Sequence, residues 1–134
     1  MVMGEIGELF GTLIIIFYGL TILNFCFKFI NKKYKKEIKK HKKFSEIFTF
    51  FLRFFMKYHK VFGFMAVLAI LLHFYFQYTR FGLNIAGVIA AGVMIFQVIF
   101  GAYGQYTKRK GKLWLSLHRA IALFVFATIL LHVL

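Results

Sequence analysis

The sequence predicts an all-α integral membrane protein, a four-helix bundle whose helices run up, down, up and down. Hydrophobic residues make up 61% of the 134 residues, only four residues are acidic, and proline is absent. A soluble domain of this size could not bury so much apolar surface, whereas four long apolar stretches match the length that crosses a bilayer. We expect a single domain over residues 1–134, with helices near residues 6–30, 44–78, 84–106 and 113–134.

The first predicted helix is rich in small residues and is followed by a strongly basic segment. Four glycines lie just before this helix or in its first two thirds. Small residues let helices or a flat cofactor approach closely. Residues 31–43 carry eight lysines and are expected to form a loop. Cys26 is the lone cysteine, so we interpret it as a small apolar residue rather than half of a disulfide.

The second predicted helix begins with an unusual phenylalanine-rich stretch at residues 44–56, which also contains Glu46 and Arg53. This stretch is either an interfacial helix or a cytoplasmic extension of the membrane helix. We favour one long helix over 44–78, since no proline interrupts it. A tight turn at 79–83 then leads to the third helix.

The third and fourth helices differ in their polar residues. The third is rich in glycine and alanine, lacks histidine, and has Gln97 as its polar residue at depth. A second basic segment at 107–112 separates it from the fourth helix, which contains two histidines.

The formal charge of +14 indicates topology rather than nucleic-acid binding. Both basic segments, 31–43 and 107–112, fall on one side of a four-pass chain, and the opposite loop has only Arg80. The positive-inside rule predicts that the basic segments lie in the cytoplasm and that both termini lie outside. We expect the membrane to be that of a prokaryotic cell. Contact with anionic membrane lipid is the main interpretation of these charges, and docking of an acidic electron-donor protein is the alternative.

The histidines of the membrane helices follow a repeated spacing. His59 and His73 are fourteen residues apart in the second helix, and His118 and His132 are fourteen apart in the fourth. Fourteen residues rise about 21 Å and fall about 40° short of four turns, so both histidines of a helix share nearly one face. Because the two helices run in the same direction, His59 should meet His118 near the cytoplasmic side, and His73 should meet His132 near the outer side.

Two facing imidazoles can hold one iron porphyrin between them as axial ligands. The spacing therefore predicts two haems, an inner one on His59 and His118 and an outer one on His73 and His132, with irons roughly 20 Å apart along the membrane normal. No C-x-x-C-H sequence is present, so the haems should be b-type. Structural histidines and a metal or proton pathway are the alternatives, and the remaining His41 fits an exposed loop position.

Residues beside the histidines fit the same cofactor. Gly63 and Ala122 lie four residues after His59 and His118, where a small side chain leaves room for a flat ring. Haem propionates need cations at the membrane edge, and Lys60, Arg119 and Arg80 are the candidates. The alternative for these cations is snorkelling to lipid headgroups.

The pattern H-x13-H on two helices, separated by a helix without ligands, resembles the dihaem cytochrome b core. That core occurs in the quinol–cytochrome c reductases and in the ferric reductase and NADPH oxidase superfamily. The resemblance covers nearly the whole chain. The two histidine-bearing helices are expected to run from inside to outside, which is similar to their direction in the ferric reductase and NADPH oxidase superfamily. The resemblance implies the inner and outer haem ligands assigned above. The sequence has no G-x-G-x-x-G nucleotide-binding motif, so the resemblance implies the electron path but neither the donor nor the acceptor.

The expected function is transmembrane electron transfer from a cytoplasmic-side flavoprotein or quinol to an outer acceptor. That acceptor is ferric iron, oxygen, a quinone or a partner cytochrome, so the chain is a candidate for the membrane part of a reductase. One alternative is a haem-bearing anchor subunit of a larger redox complex. Another, from a different class, is a cation or proton transporter that uses paired histidines.

Overall fold

The chain folds into long α-helices. The computed structural model describes residues 2–108 and 111–134, and these residues form four α-helices and no strand. The helices are α1 (Val2–Lys40), α2 (Lys42–Phe81), α3 (Ile85–Tyr106) and α4 (Lys112–Val133). The predicted all-α class is confirmed. Each of these helices is long and apolar enough to cross a membrane.

The basic segment at 31–43 is helical, so the predicted loop is wrong. α1 continues through it to Lys40 with a bend at Tyr34, whose φ is −115° and ψ is 19°. Only His41 separates α1 from α2, and its carbonyl accepts a hydrogen bond of 2.8 Å from the amide of Ser45. Lysine is a good helix former, and a run of lysines without glycine or proline has no residue that ends a helix.

The phenylalanine-rich segment at 44–56 belongs to α2, so the prediction of one long second helix is confirmed. α2 runs through the first residues of the predicted outer turn and ends at Phe81. Gly82 follows with a φ of +75°, a left-handed conformation that glycine adopts without strain. Asn84 then caps α3, since its side chain accepts a hydrogen bond of 2.9 Å from the amide of Gly87. In the second basic segment, Arg109 and Lys110 lie outside the described residues.

The helices divide into two compact units. The first unit comprises the described parts of residues 1–12 and 67–134, and the second comprises residues 13–66. In the first unit, α3 packs against α4, and Met94 and Val125 are its most deeply buried large side chains. The second unit is a helical hairpin made from most of α1 and the first part of α2. The expectation of a single domain stays a prediction.

Large apolar side chains remain exposed along the helices. Leu71 is 52% exposed, Ile99 61% and Leu123 68%. Exposure of such a continuous apolar surface to water would be unfavourable, whereas contact with lipid tails is not. The helix lengths and this surface together indicate an integral membrane protein.

Candidate functional site

The structure brings together the two histidines predicted for the outer side. His73 of α2 and His132 of α4 both belong to the first unit. Their ring centres are 6.3 Å apart and their planes make an angle of 83°. Both side chains are half-buried. The two imidazoles are therefore neighbours, as the fourteen-residue spacing predicts.

A backbone carbonyl of α1 holds the first of these rings. The Nδ1 of His73 donates a hydrogen bond of 2.8 Å to the carbonyl oxygen of Gly7. Because a carbonyl can only accept, this bond fixes the proton on Nδ1 and leaves a lone pair on Nε2, the usual arrangement of a metal-ligating histidine. Gly11, one turn further, packs so closely that a Cβ at this position would lie 3.1 Å from the Cε1 of His73.

A glycine of α3 holds the second ring by packing alone. A Cβ on Gly87 would lie 2.9 Å from the Cε1 of His132, so only a glycine admits the ring at this distance. The Nδ1 of His132 is buried and has no hydrogen-bond partner among the described residues. A buried nitrogen without a partner is unfavourable, and His132 therefore lacks the Nδ1 hydrogen bond that orients His73.

The separation of the two rings fits a metal centre between them. A metal–imidazole nitrogen bond is about 2 Å long, and the ring centre lies about 1 Å behind that nitrogen, so two imidazoles on one metal have ring centres roughly 6 Å apart. The observed 6.3 Å between His73 and His132 agrees with this value. Two imidazoles alone are too few ligands for a bare zinc ion, and within residues 2–108 and 111–134 no three His, Cys, Asp or Glu side chains form a metal-binding group. The pair therefore fits a metal that brings its other ligands with it, as the iron of haem does.

His118, near the beginning of α4, also packs against a glycine of α3. Its imidazole stacks on the indole of Trp114, with ring centres 5.2 Å apart and an angle of 9° between the planes. Gly101 of α3 faces this ring, and a Cβ there would lie 3.1 Å from the Cε1 of His118. The side chain of Gln97 donates a hydrogen bond of 2.8 Å to the carbonyl of His118, which ties α3 to α4 at this level.

His59 belongs to the second unit, together with the part of α1 that faces it. The backbone of Thr21 and the ammonium group of Lys28 both interact electrostatically with its imidazole. The ring is half-buried. The predicted partner, His118, lies in the other unit, so the pairing of these two histidines stays a prediction.

The neighbours of the histidines repeat the fourteen-residue spacing. On α1, Gly7 contacts His73 through its backbone, and Thr21, fourteen residues later, interacts with the other histidine of α2. On α3, Gly87 and Gly101 are also fourteen residues apart, and each packs against one histidine of α4. Sequence analysis noted the small residues of these helices but missed this register. A search for glycines at the histidine spacing would have found Gly87 and Gly101.

The accessory residues predicted from the sequence differ in their surroundings. A Cβ on Gly63 would meet no atom within 4 Å, so open space exists where a flat ring was predicted. Ala122 is half-buried, and Lys60 and Arg119 are exposed. The guanidinium of Arg80 lies against Gly4 and 4.8 Å from the ring centre of the neighbouring Phe81.

Comparisons with known proteins add no relative. No protein-family model matches the chain, and searches for similar curated proteins and similar solved structures give no match. The described residues define a four-helix integral membrane protein in which two half-buried imidazoles are neighbours. The resemblance of its histidine pattern to the dihaem cytochrome b core stays a prediction.

Proposed function

We propose that the chain is a small transmembrane cytochrome b that carries single electrons through two bis-histidyl b-type haems. His73 and His132 would hold the outer haem, and His59 and His118 the inner one. The observation that carries this proposal is the separation of 6.3 Å between the rings of His73 and His132, since that distance matches two imidazoles on one metal centre.

The residues around this pair support the same role. Haem supplies a reversible one-electron couple at its iron. If two histidines held the iron, no position would remain on it for oxygen or another small ligand. The carbonyl of Gly7 keeps the proton of His73 on Nδ1, so Nε2 is available as a donor atom. Arg80, Lys60 and Arg119 are candidates to pair with propionates at the two edges of the membrane.

The proposed topology has four antiparallel membrane passes, both termini outside and both basic segments in the cytoplasm of a prokaryotic cell. The asymmetric distribution of lysine supports it. Electrons would enter from a cytoplasmic flavoprotein or from quinol and leave to an outer acceptor such as ferric iron, oxygen, a quinone or another cytochrome. The chain would then be the membrane part of a reductase.

A haem-bearing anchor subunit is the second candidate. The helical continuation of α1 and α2 through residues 28–60 favours it, because this hairpin offers a surface that a partner enzyme could occupy. A partner that copurifies with the chain at a fixed ratio would support the anchor role, and a chain that transfers electrons by itself in vesicles would support the first proposal.

The first experiment is a dithionite-reduced minus oxidised spectrum of the detergent-purified chain, with haem quantified as the pyridine haemochrome. We expect two low-spin b-type haems per chain. The planes of His73 and His132 are nearly perpendicular, at 83°, so the ferric outer haem should also give a strongly anisotropic paramagnetic resonance signal. A folded chain that contains no haem after expression with ample haem supply would refute the proposal.

A further inference from the structure

α1 and α2 are about twice as long as a membrane pass. A helix needs about 20 residues to cross the hydrocarbon core, whereas α1 has 39 residues and α2 has 40. Their uncharged stretches, residues 9–27 and 61–79, are each 19 residues long and match one crossing. Residues 28–60 therefore extend beyond the span as a helical hairpin, which we call the stalk. From His41 at its tip to its last residue, the stalk rises about 28 Å.

The stalk has its own apolar core. The ring of Phe27, at its base, lies 5.2 Å from the ring of Phe48 and 5.2 Å from that of Phe55, and Ile38 is buried near the tip. These contacts pack α1 against α2 where the stalk leaves the uncharged span. The stalk is thus a folded element rather than a tail.

A second set of apolar residues on the stalk is only partly covered. Phe44 is 54% exposed, Ile47 58%, Phe51 42% and Phe54 38%. Their spacing of three, four and three residues places them on one face of α2, and we call this set the apolar stripe. Four large apolar side chains on one helix face outside the membrane span indicate an interaction surface.

The charge of the stalk selects the kind of partner. Twelve lysines and arginines stand against two glutamates, Glu37 and Glu46, and Glu37 is already paired with Lys40 at 2.9 Å. A second copy of the chain would bring the same positive charge to the interface, which is unfavourable. If the stalk continues along the membrane normal, lipid headgroups would reach only its base, because the headgroup layer adds about 6 Å on each side of the hydrocarbon core. Phe44 lies sixteen residues, about 24 Å, from the end of the stalk.

We propose that the stalk binds a water-soluble acidic protein. Its lysines would attract the partner, and its apolar stripe would contact the bound partner. If the proposed function holds, this partner is an acidic flavoprotein that donates electrons. The stripe ends close to the inner histidine, because Phe54 precedes His59 by five residues, about 8 Å along the helix. The ring of Tyr58, next to this histidine, lies 4.9 Å from that of Phe54. A partner on the stripe would therefore lie near the inner haem site.

Binding to a defined probe tests this docking surface. The full chain in phosphatidylcholine nanodiscs is titrated with a fluorescently labelled flavodoxin, a small acidic flavoprotein, at several salt concentrations. We expect binding that weakens as salt rises. Lys35→Gln with Lys39→Gln should weaken it about fivefold at low salt, whereas Lys108→Gln with Lys112→Gln, which removes the same charge from the other basic segment, should leave it unchanged.

The apolar stripe is tested by Ile47→Ser, with Ile47→Leu as the conservative control, because Ile47 is 58% exposed. The serine variant should weaken binding severalfold without altering its salt dependence, and the leucine variant should retain binding. No binding at low salt, or an equal loss from both lysine pairs, would overturn the proposal. So would burial of the stripe in phosphatidylglycerol-containing nanodiscs, detected with a polarity-sensitive dye at Phe51→Cys in a Cys26→Ser chain, or dimerisation through the stalk.

Haem content is measured on the same samples, so that two separate failures can be told apart. Binding by a chain without haem would keep the docking surface and refute the electron-transfer role. A dihaem chain that does not bind the probe would refute the docking surface and leave the proposed function intact.

Discussion

The two imidazoles of the outer pair are held by different means. His73 is oriented by a hydrogen bond to the carbonyl of Gly7, whereas His132 is positioned by close packing against Gly87. The first contact sets which nitrogen carries the proton, and the second sets how near the ring comes to α3. The first contact uses a backbone carbonyl, which any residue would offer, whereas the second depends on the absence of a side chain at Gly87.

Replacement of His73 by Leu should remove the outer haem and leave the inner one, because the two proposed sites share no ligand. The haem content of the purified variant should fall from two per chain to one in the pyridine haemochrome assay. His59→Leu is the matched variant and should spare the outer haem instead. Loss of both haems from a variant that keeps its helical circular dichroism would contradict the pairing by depth.

Replacement of Gly87 by Ala should weaken the outer haem site. The added Cβ would lie 2.9 Å from the Cε1 of His132, so the ring or α3 must shift at a cost of about 1–3 kcal/mol. We expect lower outer-haem occupancy and a changed midpoint potential for that haem in a redox titration.

Gly92→Ala is the control for this substitution. It lies on the same helix, and a Cβ there would meet no atom within 4 Å, while alanine also favours a helix over glycine. Its haem content and potentials should match those of the original chain. An identical loss of haem in Gly87→Ala and Gly92→Ala would show that the effect comes from the helix and not from the contact with the ring.

At the scale of elements, sequence patterns predicted the membrane helices better than the connection between α1 and α2. The apolar stretches located every described helix, and the absence of proline correctly predicted one long α2. The basic segment at 31–43 was assigned to a loop because of its charge. Charge does not end a helix, however, and this segment contains neither glycine nor proline.

The candidate site could be predicted in part. The spacing of the histidines identified His73 and His132 as neighbours, since helical periodicity is a local property. The role of Gly87 could not be derived from periodicity alone, because it depends on how α3 approaches α4. The contact of His73 with Gly7 joins residues that are 66 positions apart in the chain, and no local pattern reports such a contact.

The stalk should lose its packing when its apolar core is truncated. Phe48 is 7% exposed and its ring contacts Phe27 at 5.2 Å, so Phe48→Ala should destabilise the hairpin by about 3 kcal/mol or more. Hydrogen exchange of the amides of residues 35–50 should become faster. Phe50→Ala is the control, because Phe50 is 64% exposed. Equal exchange rates in the two variants would show that the stalk does not depend on this core.

At the scale of the whole molecule, charge and hydropathy divide the chain along its helices. The uncharged stretch of α2 carries His73, and the basic halves of α1 and α2 form the stalk, whose base contains His59. The interactions of the histidines repeat at fourteen residues in α1, α2, α3 and α4, which is the register expected for two similar sites at two depths. The same four helices would thus provide both the membrane anchor and the two proposed haem sites.

The distribution of charge also predicts the orientation of the chain in the membrane. We expect the lysine-rich segments to lie on the cytoplasmic side because of the positive-inside bias and their attraction to anionic lipid. In a Cys26→Ser background, Lys39→Cys should react with a membrane-impermeant maleimide only in inside-out vesicles. Leu83→Cys, in the turn after α2 and 69% exposed in the native chain, should react only in right-side-out vesicles.

Lys112→Cys is the control and should behave as Lys39→Cys does. The opposite labelling pattern would place the stalk outside the cell, and the proposed direction of electron flow would then have to be reversed.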